Sequence, residues 1–257
     1  MARETKKTQS ASRINWRLLW GVALLGAAGV STAMAAYKVR RFVINDPQFF
    51  LSRDRRDAIT VQGLRYASRW RVQRIFAGDY DHSIYLVPLE ERQRRLLAID
   101  WIDSATVSRV WPDRIVVRVR ERQPVAFVNL RRGVRLIDSH GVLLEPPAQA
   151  QFTFPVLRGI GENDTEAQYR DHVALFLRVQ EDLGYLMKDV SEVDTSDPEN
   201  IRIIAQAERR AITLLLGDGN YARRYQHFVK NYPEIVKRSP QARIFDLRLD
   251  DRITVKE

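Results

Sequence analysis

The 257-residue chain has no cysteine, four histidines and three methionines. Without thiols there is no disulfide framework, no CxxC redox pair, no thiolate metal site and no cysteine nucleophile. His82, His140, His172 and His227 lie far apart in sequence and no two have ligand spacing. No GxSxG, HExxH, Walker A or GxGxxG pattern occurs. Acid pairs such as Asp79/Asp81, Asp194/Asp197 and Asp250/Asp251 fall in expected turns, where Asp bonds local backbone. With no acid/base constellation to name, the expectation is a non-enzyme that needs no catalytic residue, metal or cofactor.

What is present begins with charge. The net charge is +10, with 29% charged and 45% apolar residues, an ordinary composition for a packed core. Residues 1–37 carry +4 and 38–122 carry +7, whereas 123–257 sum to −1. A neutral second half argues against a generic nucleic-acid binder, despite the basic total.

Between Arg17 and Lys38 run 20 uncharged residues, LLWGVALLGAAGVSTAMAAY. At ~1.5 Å rise per residue these span the ~30 Å hydrocarbon core, so 18–37 is expected to be a transmembrane helix behind a cytoplasmic tail, 1–17. Trp16, Trp20 and Tyr37 stand where amphipathic aromatics favour headgroups. A cleaved signal peptide competes with this reading, with Ala33-Met34-Ala35 as an A-x-A site. Either way residues 38–257 lie outside the cytoplasm, because an N-terminal apolar segment exports the long domain behind it. Gly26, Gly29 and Ala33 offer a small-residue strip for close helix approach. Lys38, Arg40, Arg41, Arg53, Arg55 and Arg56 form a membrane-proximal basic group that anionic headgroups would attract.

Downstream, Ala58 to Gly63 reads as a strand, and Ser68 to Ala77 as a helix with Trp70, Ile75 and Phe76 as its larger apolar residues. A second helix opens at Pro88 with Leu89, Gln93 and Leu96 on one face. Ala105 to Trp111 and Ile115 to Val119 are strands joined by a Trp-Pro-Asp-Arg turn. Residues 38–122 thus form a β-α-α-β-β module. After Pro124 come short strands at 125–130, 134–137 and 142–144, then a helix opened by the Thr165/Gln168 capping box and ended by Gly184. Strands at 190–194, 201–206 and 212–216 precede a last helix with Tyr221, Tyr225, Phe228 and Tyr232 at core-like spacing, which Pro233 should end or kink. Strands at 243–249 and 253–255 flank the Asp250-Asp251 turn. Residues 123–257 are therefore a β-rich domain with two packed helices, and the fold class is α+β.

An ordered set of local motifs then identifies a family. Val61-Gln62-Gly63, Val107-Ser108-Arg109-Val110-Trp111-Pro112, Glu121-Arg122-Gln123-Pro124-Val125-Ala126, Leu136-Ile137-Asp138-Ser139-His140-Gly141, Phe154-Pro155-Val156-Leu157-Arg158-Gly159, Leu216-Gly217, Arg223-Arg224-Tyr225, Tyr232-Pro233 and Asp246-Leu247-Arg248 occur in sequence. Together they resemble the bacterial cell-division FtsQ/DivIB family over nearly the whole chain. The resemblance implies a POTRA domain beside the inner membrane, a β-domain beyond it, and a non-catalytic divisome scaffold at the septum. It implies FtsB/FtsL-type single-pass partners and, indirectly, the septal peptidoglycan synthase complex. It also implies that a partner strand adds to the C-terminal edge, with Asp246, Leu247, Arg248, Leu249, Ile253 and Val255 as contacts. Leu249 stands where the family often has an aromatic, and Asp250-Asp251 where it often has a glycine. Two other readings stay in view: a POTRA-bearing envelope transport or chaperone component, and an exported enzyme whose site carries none of the motifs above.

Overall fold

The computed structural model describes residues 16–208 and 210–256. The first 15 residues of the expected tail lie outside the described residues, as do the side chains of Arg17, Leu18, Leu19 and Val22. The chain opens with helix α1 (Trp16–Asn45), which covers the apolar run without a break. Among the described residues no helix is long and apolar enough to cross a membrane. Gly26 and Gly29 on α1 have no neighbour within 4 Å of an added Cβ.

Next come β1 (Ile59–Gln62), α2 (Arg69–Ile75), α3 (Leu89–Leu97), β2 (Ile102–Val110) and β3 (Arg114–Glu121). The strands form a sheet in the order β1-β3-β2, the β-α-α-β-β arrangement expected. Within α2 the buried residue is Val72, with Phe76 just beyond the helix end, whereas Trp70 is exposed and lies under the Arg74 guanidinium, 5.0 Å from its ring centroid. An i, i+4 pair on the outer face gives Trp70 a cation partner.

The remaining strands are β4 (Pro124–Leu130), β5 (Gly133–Asp138), β6 (Leu143–Leu144), β7 (Val156–Arg158), β8 (Val190–Asp194), β9 (Ile201–Ala207), β10 (Arg210–Gly217), β11 (Ile244–Asp246) and β12 (Thr254–Lys256). They make one nine-stranded sheet in the order β12-β11-β10-β9-β8-β7-β4-β5-β6. Two helices, α4 (Glu166–Leu183) and α5 (Tyr221–Arg238), bury apolar stripes in its core. The Thr165/Gln168 capping box is formed, satisfying donors that the first turn of α4 would otherwise leave bare. On α5 the four aromatics Tyr221, Tyr225, Phe228 and Tyr232 are all buried. Burial pushes the Tyr225 hydroxyl up to about 12. The helix does not end at Pro233 but runs on to Arg238, because Ile235 and Val236 beyond the proline still pack on the core.

By its contacts the chain divides into two compact units: Met1–Thr60 with Phe76–Leu89 and Ser108–Val116, and Val61–Ile75 with Glu90–Val107 and Val117–Glu257. In the first, the end of α1 is fixed by local packing. Ser83 Oγ donates to Val43 O at 2.7 Å, and the Phe42, Phe49 and Trp111 rings meet edge-on in series, each pair 5.7 Å apart.

In the second unit, two consecutive residues clamp the passage from β3 to β4. The Glu121 carboxylate accepts from the Arg65, Tyr66 and Ala67 amides at 2.7–2.9 Å. Arg122 donates to Asp100 O at 3.0 Å and to Asp138 Oδ2 at 2.9 Å, and Asp138 is buried while also accepting from the His140 and Val142 amides. The Tyr66, Trp101 and Phe152 rings pack beside the clamp, Tyr66 lying 5.1 Å from Trp101 and 5.4 Å from Phe152. Gly63, at φ +87°, lies so near this passage that an added Cβ would sit 2.0 Å from Val119 O, so only glycine fits.

Candidate functional site: an open sheet edge

At one end of the nine-stranded sheet, β11 pairs in parallel with β10 and antiparallel with β12, leaving β12 as the edge. An edge strand carries a row of backbone donors and acceptors on its outer side. What holds these two three-residue strands is the helix behind them. Phe245 is fully buried, 4.9 Å from the Phe228 ring and 6.0 Å from Tyr232, and Leu247, also buried, donates its amide to Leu215 O at 2.9 Å.

The expected contact residues therefore divide. Leu247 faces the core and presents no surface, while Leu249 is 53% exposed and Ile253 and Val255 are half-buried. The regular part of the expected 243–249 strand is only Ile244–Asp246, since Leu247 is the last residue held to β10. Asp246 is gripped by Arg248 through Nε at 2.8 Å and Nη2 at 2.6 Å, with Lys256 Nζ 3.8 Å away. The Arg248 hydrogen bonds hold the Asp246 carboxyl below its usual range.

The connecting turn is pinned from α5. Arg224 Nε donates to Asp250 Oδ1 at 3.0 Å and Nη1 donates to Leu216 O at 2.5 Å, which lowers the Asp250 pKa. Gly217, at φ +75°, makes room for this crossing: a Cβ there would sit 2.8 Å from Arg224 Nη1 and 3.3 Å from Arg248 Cγ. Between α5 and the turn lies a cavity of about 290 Å³ lined by Arg223, Arg224, His227, Leu247, Leu249, Asp250 and Ile253. Arg224 is the residue that sequence reasoning left without a role. Its signal was available in Arg223-Arg224-Tyr225, where Tyr225 on the buried face turns its neighbours toward the rim.

The arrangement is a partly apolar groove rimmed by arginines beside a strand whose outer edge is unpaired among the described residues, a geometry to which an extended peptide can add. Among the described residues no group of three or more His, Asp or Glu could hold a metal ion.

The basic group near α1 also divides. Arg53 lies 3.4 Å from Asp81, and Arg55 is bound by Asp57 at 2.7 Å and by Asp113. Lys38, Arg40, Arg41 and Arg56 are exposed and form no ion pair among the described residues.

Comparison with known proteins gives two family matches. Residues 56–122 match the POTRA domain, FtsQ-type, and residues 126–248 match the cell division protein FtsQ/DivIB C-terminal domain. The chain is 32% identical over 251 residues to the cell division protein FtsQ of Koribacter versatilis, covering 95% of this chain and 70% of that protein. It is 26% identical to FtsQ of Syntrophotalea carbinolica, covering 98% and 90%, and 22% identical to FtsQ of Geotalea daltonii, covering 94% and 86%. The two family matches cover most of the chain and these likenesses run along nearly all of it, and the chain belongs to the FtsQ/DivIB family of cell-division proteins.

Proposed function

We propose that the protein is a non-catalytic scaffold of the divisome, anchored in the inner membrane by residues 18–37, with 38–122 and 123–257 outside the cytoplasm as its two exported domains. In this reading it concentrates at the septum and links early and late division proteins. The observation that carries it is the open β12 edge with its turn pinned by Arg224. A strand from an FtsB-type single-pass partner would extend the sheet there, with FtsL-type proteins and the peptidoglycan synthase complex joined through it. Ladder hydrogen bonds would give affinity, and the side chains of Leu249, Ile253 and Val255, with the neighbouring Arg223 cavity, would give selectivity. Arg223, solvent-exposed on the rim, favours a partner with acidic residues beside its strand.

Depletion in the native host, with a fluorescent fusion to follow position, tests the role: filamentous cells and a midcell band are expected. Normal septation with a dispersed signal would reject it. The site is tested by Leu249→Asp, which is expected to weaken binding of the FtsB-type ectodomain at least about tenfold, the loss of one buried apolar contact. Unchanged affinity would take Leu249 out of the interface.

A further inference from the structure

The apolar run ends at Tyr37, but α1 continues for eight more residues to Asn45. The first five of them, 38–42, rise about 7.5 Å, the depth of a headgroup layer about 5–8 Å thick, so Phe42 and what packs beside it stand at its outer margin. Two short 3-10 turns pack there, Pro47–Phe49 and Ile84–Leu86, the second fixed by the Ser83 bond to Val43 O. Through Phe49 the tip of the β2–β3 hairpin joins them at Trp111.

Three separate stretches of chain thus bring large apolar side chains beside the end of one helix. Phe42, Tyr85, Leu86 and Trp111 are 44–52% exposed, although a soluble domain gains nothing by leaving such a group uncovered. Of the nearby acids, Asp46 caps the Pro47–Phe49 turn by accepting from the Gln48 amide, and Asp54 is exposed with no ion pair among the described residues. Asp57, Asp81 and Asp113 are each matched to an arginine, whereas Lys38, Arg40 and Arg41, in the same helical turns as Phe42, have no acid partner among the described residues.

We propose that Phe42, Tyr85, Leu86 and Trp111 form a seat that rests on the outer headgroup layer of the bilayer, with Lys38, Arg40 and Arg41 pairing with its anionic lipids. The inference rests on reading α1 as the anchor and adds a second, peripheral contact made by the first compact unit. A bilayer is favoured over a protein occupant because α1 delivers the patch to headgroup depth. The mixture of aromatic rings and unpaired cations is also what that interface attracts.

The cysteine-free chain allows a direct test. Full-length single-cysteine variants Tyr37→Cys, Tyr85→Cys and Trp111→Cys, labelled with an environment-sensitive fluorophore, are reconstituted in vesicles of phosphatidylethanolamine with phosphatidylglycerol, and quenching by headgroup-spin-labelled lipid is read. All three sites are expected to be quenched. At 85 and 111 the quenching should fall several-fold in purely zwitterionic vesicles and in the Arg40→Glu/Arg41→Glu background, each basic residue near the surface being worth roughly fivefold. Quenching at 37 with none at 85 or 111 overturns the seat and leaves the anchor standing. No quenching at 37 removes the anchor reading and the seat with it. Quenching at 85 and 111 that ignores both lipid charge and the double reversal overturns the pairing with anionic lipid.

Discussion

The nine-stranded sheet ends in two different ways. At one end β6 is two residues long, is followed by Glu145-Pro146-Pro147, and has its exit carbonyl at Glu145 taken by the Trp101 indole at 2.9 Å. Asp138, at the end of the neighbouring strand, is locked by Arg122. At the other end β12 has no proline, no covering residue described, and Lys256 as its one basic side chain. Edge strands invite unwanted pairing, and short length, proline and cover are the usual protections. One edge has all three, whereas the other has its shortness and Lys256, so the second is the less protected of the two.

The largest expected effect comes from attacking the protected end. Asp138→Ala leaves Arg122 with Asp103, 3.7 Å away, and the Asp100 carbonyl, unpairs the His140 and Val142 amides, and should cost about 3 kcal/mol in denaturant unfolding. A loss under about 1 kcal/mol would mean that the lock is not what holds β5 and β6. At the open end Arg224→Ala should cost less, about 1–3 kcal/mol, because one carboxylate partner at a half-exposed turn and one carbonyl are lost. Its signature is local: amide exchange should quicken at Thr254–Lys256 and leave β8 and β9 unchanged.

A smaller effect is expected from Pro146→Ala/Pro147→Ala, within about 1 kcal/mol of the parent. This variant sharpens the contrast, because Trp101 should still keep the β6 edge closed; concentration-dependent self-association by sedimentation would show that the prolines alone guarded it. The smallest effect is acidic. Asp246 and Asp250 have folded pKa values below the ordinary carboxylate, so their contribution is complete above about pH 4 and is lost as pH falls through the lowered values. Exchange at β12 should therefore be constant from pH 7 to 5, once corrected for intrinsic rates, and rise only in stronger acid. Loosening already near pH 6 would mean that these two carboxylates are not what holds the edge strand.

Long periodic elements were legible from sequence and short ones were not. The capping box, the aromatic stripe of α5 and the β-α-α-β-β order are signals repeated over several turns or strands. β7 escaped notice because three residues between Pro155 and Gly159 cannot display an alternation, yet it joins β4 to β8 in parallel and so makes one sheet out of two sets of strands. Which of the apolar residues of α2 face inward was not legible in so short a helix: Val72 and Phe76 are buried and Trp70 is exposed. At the site, sequence located the edge but not its support. Arg224 acts across 26 residues on Asp250, and Leu247 is spent on the core, and neither fact leaves a local pattern.

Glu121 and Arg122 have a mechanical meaning. They are neighbours in sequence, yet one grips the 65–67 backbone and the other grips Asp138. A pull applied at the β12 edge would pass along the sheet to β5 and leave it through two charged side chains and a wall of aromatic rings, rather than through a slack linker at Gln123. A joint built this way behaves as a strut within the second unit: load on the sheet would reach the 65–67 backbone through two charged side chains instead of being absorbed at Gln123.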